Sequence, residues 1–404
     1  MPSDLLYTAV GMKSYIPLAA SDGEGQLTLN MSPPPGAVRC PHCKSTDVIR
    51  RGAADRKVHA PPVGLRMTVL LIKTPRVECR HCERVSTIVL PSVVPLKNHT
   101  KSFARLVVDL RKIMTIADVA LYLGVSQTMV RSIDKVHLHR NFSKPKLRHL
   151  KHLAIDEISV RKGFVFLTIV LDLISGAVVF VGKGKGGKSL KPFWKRLHGS
   201  RAKIQAVATD MSSAYYKAVR ENLPKAAHVF DRFHIAKLMN DKLTQLRREL
   251  HREAEDGPGK LALKNSRWLL VKNPHRLDPD RNESERLEKA LALNKPLSIA
   301  YYLKEDLRQI WEQANKREAG KFFNDWCARA RASGIKVLLV MANTLSTHRE
   351  GILAWYDHPI STGPLEGTNN KIKTLKRQAY GFRDLEYFSL KIQAIHLAKF
   401  ALVG

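Results

Sequence analysis

The sequence predicts a multidomain chain of α+β and α/β class, with small modules first and a mixed-sheet domain interrupted by helices after them. Three observations point that way. Four of the five cysteines fall in two C-x-x-C pairs, at 40/43 and 79/82. Helix-period segments follow from Ser102. From Leu153 onward, apolar β-branched runs alternate with Gly-bearing breaks and helical stretches, and carboxylates stand within or at the ends of those runs.

Size and charge bound the rest. A chain of 404 residues, 44% of them hydrophobic, has room for roughly two to four cored domains and is not a disordered tail. Lys and Arg number 68 against 36 Asp and Glu, a formal +32. Solubility alone asks for far less, so the surplus points to a polyanion, with nucleic acid favoured over an anionic membrane surface. Residues 1–25 lack the compact apolar core of a secretory signal. Residues 164–181 approach membrane-spanning length, but Asp172 and Ser175-Gly176 interrupt them, which suits two strands and a turn. The expectation is a soluble, intracellular protein.

Residues 1–37 read as a mixed lead-in that ends in the stiff linker Pro33-Pro34-Pro35-Gly36. Cys40-Pro41-His42-Cys43 and Cys79-Arg80-His81-Cys82 then stand 35 residues apart, with strand-like residues 67–72 between them. Two-residue spacing lets both thiolates of a knuckle face one ion, so residues 38–98 read as a zinc ribbon. Redox pairs or unrelated buried cysteines are the competing reading. His42 and His81 are expected beside the metal ligands or exposed, and Cys327 in a core.

Residues 99–149 read as a helix-turn-helix. Leu106, Val107, Leu110 and Ile113 recur at helical steps. In the stretch 115–131, Ala120 allows close packing, Gly124 a tight turn and Ser126 a cap on the next helix. That helix would offer Gln127, Thr128 and Arg131 to the major groove. A plain helical hairpin is the alternative. A basic linker is expected over 138–150.

The third domain, 150–404, opens on Leu153-Ala154-Ile155-Asp156-Glu157-Ile158-Ser159-Val160, an apolar run that carries an acidic pair and breaks at Arg161-Lys162-Gly163. Residues 164–171 and 177–181 complete a meander. A carboxylate within a buried strand is costly unless a cation offsets its charge. Glu157 should face away from Asp156. Residues 204–210 form a strand ending in Asp210, then a helix, then a strand ending in Asp231. Three meander strands, a helix, a strand ending in Asp, a helix and a fifth strand is the order of the ribonuclease H-like fold. In that fold the first and fourth strands lie side by side, which would join Asp156 to Asp210.

Gly182-Lys183-Gly184-Lys185-Gly186-Gly187-Lys188-Ser189 satisfies the phosphate-loop pattern G-x-x-x-x-G-K-S. Its strand reads as the third of an antiparallel meander, so a basic loop near DNA phosphates is the preferred reading. A helical insertion is expected over about 235–345, with Trp268 and Trp326 as packing residues. In Ser361 to Lys373, helical spacing puts Leu365, Thr368, Ile372 and Leu375 on a core face. Glu366, Asn370, Lys373 and Arg377 line the neighbouring face; Lys373 and Arg377 are candidate DNA contacts, with a solvated amphipathic helix the competing reading. Glu366 opens that helix and supplies a third carboxylate.

Asp156, Asp210 and Glu366 have the chemistry to hold magnesium, or manganese, for in-line phosphoryl transfer, with two cations about 4 Å apart. Glu157 and Asp231 are reserves. Taken together, the knuckles, the helix pair, Ala154-Ile155-Asp156-Glu157, Ala208-Thr209-Asp210-Met211-Ser212, Asp231-Arg232-Phe233-His234 and Gly363-Pro364-Leu365-Glu366-Gly367-Thr368-Asn369-Asn370-Lys371-Ile372-Lys373 resemble the DDE transposases of bacterial insertion sequences, of the ISL-three type. The resemblance spans nearly the whole chain. It implies an Asp156–Asp210–Glu366 triad, N-terminal modules that bind terminal inverted repeats, cleavage and strand transfer into target DNA, and a homo-oligomer on DNA. It also implies a cytoplasmic, nucleoid-associated bacterial protein with no membrane partner. The alternatives are a sequence-specific DNA-binding regulator with an inactive ribonuclease H-like domain, and a nucleotide-driven motor using the 182–189 loop.

Overall fold

The computed structural model describes residues 9–161, 165–264, 266–400 and 403. Two compact units divide the chain, Met1–Asn141 and Phe142–Gly404.

The first unit is built on a five-stranded sheet. Its strands are β1 (Ile16–Gly23), β2 (Gln26–Ser32), β3 (Val48–Val63), β4 (Arg66–Cys79) and β5 (Val85–Thr87). Their order is β1-β2-β4-β3, with β5 also on β4. Among these strands only the β2–β4 pairing is parallel. The segment read as a lead-in is therefore part of the sheet. Gly23 pairs with Gln26 across Glu24-Gly25, both at positive φ (41° and 78°). That is the geometry a two-residue hairpin loop needs. Leu29, Met31, Val58, Leu70 and Ile72 form the apolar layer beneath.

Three helices follow: α1 (Lys101–Leu110), α2 (Ile116–Tyr122) and α3 (Gln127–Phe142). Thr100 caps α1, and Thr115 with Asp118 forms a reciprocal capping box on α2. Gly124, at φ 60°, makes the turn into α3, where Ser126 Oγ accepts the Met129 amide at 3.2 Å. Phe103, Val107, Val119, Leu123 and Val130 pack between the helices. Residues 138–142, expected in a linker, continue α3 instead.

The second unit carries β6 (His152–Arg161), β7 (Val165–Asp172), β8 (Val178–Lys183), β9 (Ala206–Thr209) and β10 (Ala227–Phe230), in the order β10-β9-β6-β7-β8. The three meander strands are antiparallel, whereas β9 lies parallel to both β6 and β10. Residues 162–164, which cover part of the expected break after β6 and the first residue of the next expected strand, lie outside the described residues.

Alternation along β6 decides which helices each residue meets. Leu153 and Ile155 join Phe193 and Leu197 of α4 (Lys191–Ser200) and Tyr215 and Val219 of α5 (Ser213–Asn222). On the opposite face Ala154 and Ile158 meet Leu365 and Ile372. Between those two faces the chain runs through α6 (Arg232–Glu253), α7 (Lys295–Leu307), α8 (Lys316–Ala332), α9 (Lys336–Thr347) and shorter helices. Leu365 and Ile372 belong to α10 (Gly363–Gln378), and Phe388 and Ile392 of α11 (Leu385–Gln393) complete that layer.

The intervening helices have their own core, around Leu243, Leu303, Phe323, Trp326 and Met341. Trp326 is fully buried and donates to the Leu303 carbonyl at 2.8 Å. Trp268 is not a packing residue: it is 65% exposed, with the Arg267 guanidinium over its ring at 4.7 Å. Cys327 is a buried core residue, as expected. No helix among the described residues is long and apolar enough to cross a membrane.

Candidate catalytic and metal centres

The two cysteine knuckles are near copies of one another. Cys40 N donates to Ser45 O at 2.9 Å and Cys79 N to Arg84 O at 3.0 Å. Lys44 N and Glu83 N close each turn on the carbonyl of its leading cysteine, and both residues take positive φ (65° and 56°). In each knuckle, the backbone N–H groups of the last two residues face the first sulfur. Those of Cys43 and His42 hold the Cys40 thiol at about 6, and those of Cys82 and His81 hold Cys79 below its ordinary value. Such donors favour the thiolate, the form that ligates metal, at Cys40 and Cys79, whereas Cys43 and Cys82 are shifted upward.

Cys40 and Cys82 sulfurs stand 3.6 Å apart and Cys43 and Cys79 3.4 Å, and all four lie within 4.8 Å of one another. A tetrahedral zinc needs sulfurs about 3.8 Å apart, so the donor set fits. His42 is exposed and its Nε2 meets Ser86 Oγ at 3.0 Å; His81 is also exposed.

The acidic residues are positioned by the sheet. In the parallel β6–β9 register, Ala154 stands beside Ala208. Two residues further along stand Asp156, within β6, and Asp210, just past the end of β9. Asp210 Oδ1 accepts the Ser212 amide at 3.1 Å. Its main-chain carbonyl accepts from Thr209 Oγ1 at 2.6 Å, and Thr209 Oγ1 in turn meets His228 Nε2 at 2.7 Å. Burial pushes His228 down to about 4, so its ring is neutral at pH 7.

Asp156 faces α10. Its Oδ2 accepts Asn369 Nδ2 at 2.9 Å, and its Oδ1 accepts the Glu157 amide at 2.7 Å. Burial raises its pKa and the neighbouring charges of Asp210 and Glu157 add to the rise, while the Glu157 amide and His234 oppose it. Glu157 faces the other way, as expected, and accepts from Tyr215 on α5 at 3.3 Å.

Asp231, at the end of β10, is nearly buried. Burial works against its charge, but His234, Thr362 and the Phe233 amide hold its carboxyl below the usual range. His234 is raised in turn, first by Asp231 at 3.5 Å and further by Asp156 and Asp210.

Glu366 lies in the first turn of α10 and is exposed. Thr362, Glu366 and Asn369 are spaced by four and three residues, so they share one helix face. Thr362 at one end of that stripe donates to Asp231, and Asn369 at the other end donates to Asp156. Glu366 therefore stands between two anchors on acidic residues of the sheet. Among the described residues, only the four cysteines gather three or more ligand atoms within 4.8 Å, so the three carboxylates are not that close here.

Oxygen donors of this kind suit magnesium or manganese. A local observation agrees: the Asn369 Oδ1, buried beside Asp156, has no donor. Sequence patterns alone assign no role to Asn369, Thr362, His234 or Tyr215. The i+3 and i−4 spacing from Glu366 is the available signal for the first two.

Gln127, Thr128 and Arg131 are exposed at the start of α3, and Lys373 and Arg377 are exposed on α10.

A transposase family model of the ISL3 DDE type matches residues 153–392, more than half of the chain. The zinc finger of the IS204/IS1001/IS1096/IS1165 transposases matches residues 36–82. The chain belongs to this family of DNA transposases. It is 31% identical over 371 residues to the transposase for insertion sequence element IS1001 of Bordetella parapertussis, covering 91% of each chain. It is 28% identical over 389 residues to the transposase for insertion sequence element IS1557 of Mycobacterium tuberculosis, covering 89% of this chain and 86% of that one. Among solved structures, the Drosophila P element transposase strand transfer complex aligns at TM-score 0.40 and 12% identity, over 74% of this chain and 92% of that one.

Proposed function

We propose that this transposase binds the terminal inverted repeats of its insertion sequence and catalyses magnesium-dependent cleavage and strand transfer at Asp156, Asp210 and Glu366. The zinc ribbon (38–98) and a helix-turn-helix (99–149) hold the repeats, with Gln127, Thr128 and Arg131 at base edges. The catalytic domain (150–404) is of ribonuclease H-like type, with a helical insertion over about 235–345. Lys373 and Arg377 face the DNA backbone, and the protein works as a homo-oligomer on DNA.

The observation that carries this reading is the stripe Thr362–Glu366–Asn369, fastened at its ends to Asp231 and Asp156. It supports a site in which one carboxylate from a helix joins two from parallel strands. Divalent cations there would lower the pKa of an attacking water or hydroxyl and stabilise the leaving oxygen. Asp156 and Asp210 hold the shared position from adjacent strands, and Glu366 closes it from the helix. Asn369 and the Glu157 amide fix the rotamer of Asp156, so its oxygens are oriented before DNA arrives. Asp231 raises the pKa of His234, which favours a positive charge near the site without occupying a ligand position.

Asp156→Asn tests the proposal. Purified protein incubated with end-labelled element termini and magnesium should cleave; the variant should bind the same ends and cleave none. A wild-type protein that binds the ends and never cleaves them would instead be a regulator.

A further inference from the structure

We propose that residues 182–189 form a rigid phosphate-binding shelf, which grips the DNA backbone at the Asp210 end of the sheet. This deepens the function just proposed and rests on it. The composition suggests a floppy tract, but the geometry is that of a packed turn. A Cβ at Gly182 would lie 2.5 Å from the Ser189 carbonyl, and one at Gly187 would lie 3.0 Å from Ala218 Cβ on α5. Gly184 and Gly186 adopt φ of 93° and 76°, open to glycine at little cost. Each of these glycines therefore answers to shape.

Side chains latch the turn to the sheet. Ser189 Oγ donates to Gly186 O at 2.6 Å and lies 2.7 Å from Thr168 Oγ1, which donates to Gly184 O at 3.0 Å. The Gly186 amide reaches Tyr215 OH at 3.4 Å, and that hydroxyl donates to Glu157. The latch thus ends on the residue adjoining Asp156. It also disposes of the nucleotide-binding reading. The Ser189 hydroxyl, buried and internally bonded, is not available to a metal, and β8 is an antiparallel edge strand paired, among the described residues, only with β7.

Lys183, Lys185 and Lys188 project from this frame and are exposed. None has a carboxylate partner among the described residues, and the Lys185 ammonium rests 5.2 Å from the centre of the Phe166 ring. Three like charges held together without acids repel, and a polyanion relieves that repulsion. β8 and β9 run in the same direction, so the turn and Asp210 lie at the same end of the sheet. Two strand spacings separate β8 from β6, about 10 Å.

The test is a salt titration of the full-length protein on a short fluorescent duplex of arbitrary sequence. K183A/K185A/K188A should flatten the slope of log affinity against log salt by about two to three, near one per lost phosphate contact. K183R/K185R/K188R should keep the wild-type slope. An unchanged slope in the alanine protein, or an equal loss in the arginine protein, overturns the shelf. All three positions are exposed, so melting temperatures should match and exclude misfolding. The readout is binding alone. A flatter slope together with an Asp156→Asn protein that still cleaves would keep the shelf and reject the catalytic site.

Discussion

The side-chain amide of Asn369 donates to Oδ2 of Asp156 at 2.9 Å, across 213 positions of sequence. The bond joins α10 to β6 one turn from Glu366. Asn369→Ala removes the donor that orients Asp156. End cleavage should fall by roughly ten- to a hundredfold, partly restored by more magnesium, while duplex binding holds. Cleavage rates across a magnesium series check this. A variant with the wild-type rate and metal dependence would remove Asn369 from the account.

Asp156 links pH to stability. Its pKa is raised in the folded protein, chiefly by burial and then by neighbouring carboxylates, so its ionised form weighs against folding. The protonated acid stabilises the fold below the unfolded carboxylate pKa. That contribution is lost as pH rises through the folded value. In metal-free buffer at neutral pH, Asp156→Asn should therefore melt above wild type. The gap should close as the pH falls below the carboxylate range, and also when magnesium is added. A variant that melts below wild type at neutral pH without metal would contradict this.

One zinc per chain is expected at Cys40, Cys43, Cys79 and Cys82. Chelation should weaken binding to the terminal repeats and abolish the knuckles, while unfolding of residues 142–404 keeps its own transition. Metal content, repeat affinity and melting curves before and after chelation report this. Equal affinity after verified zinc loss would be evidence against a recognition role for the ribbon.

Arg131→Ala, Gln127→Ala and Thr128→Ala should each weaken binding to the element ends. A bidentate base contact carries about 1–3 kcal/mol of discrimination, so the loss should be larger on the cognate end than on random duplex. Competition binding with both DNAs separates base reading from charge. Equal losses on both would leave α3 as a backbone-contacting helix.

Much of this fold is legible in the amino-acid sequence. The meander and the β9–β10 strands announce themselves through apolar runs ending in Asp210 and Asp231. Ser126 and Gly124 mark the start of α3, because caps and turns are local chemistry. The β1–β2 hairpin is not legible: β1 is exposed along its whole length, so it shows no alternation, and Glu24-Gly25 is a weaker hairpin signal than Asn-Gly. Trp268 is misread from sequence because a five-residue helix does not reveal which face it buries. The partners of Asn369, Thr362 and Tyr215 are tertiary contacts; spacing from Glu366 marks the first two positions but names no partner. The 182–189 turn reads as low complexity in sequence, although Gly182 and Gly187 answer to close approach and Gly184 and Gly186 to positive φ.

End cleavage by Glu366→Gln, beside Asp156→Asn and Asp210→Asn, tests the convergence of the three carboxylates most directly. The substitution keeps the size of Glu366 on an exposed helix position, so folding and end binding should persist. Cleavage in magnesium should drop to background in all three proteins alike. If Glu366→Gln cleaved as fast as the unmodified transposase while both aspartate variants were dead, the helix would not belong to the active site.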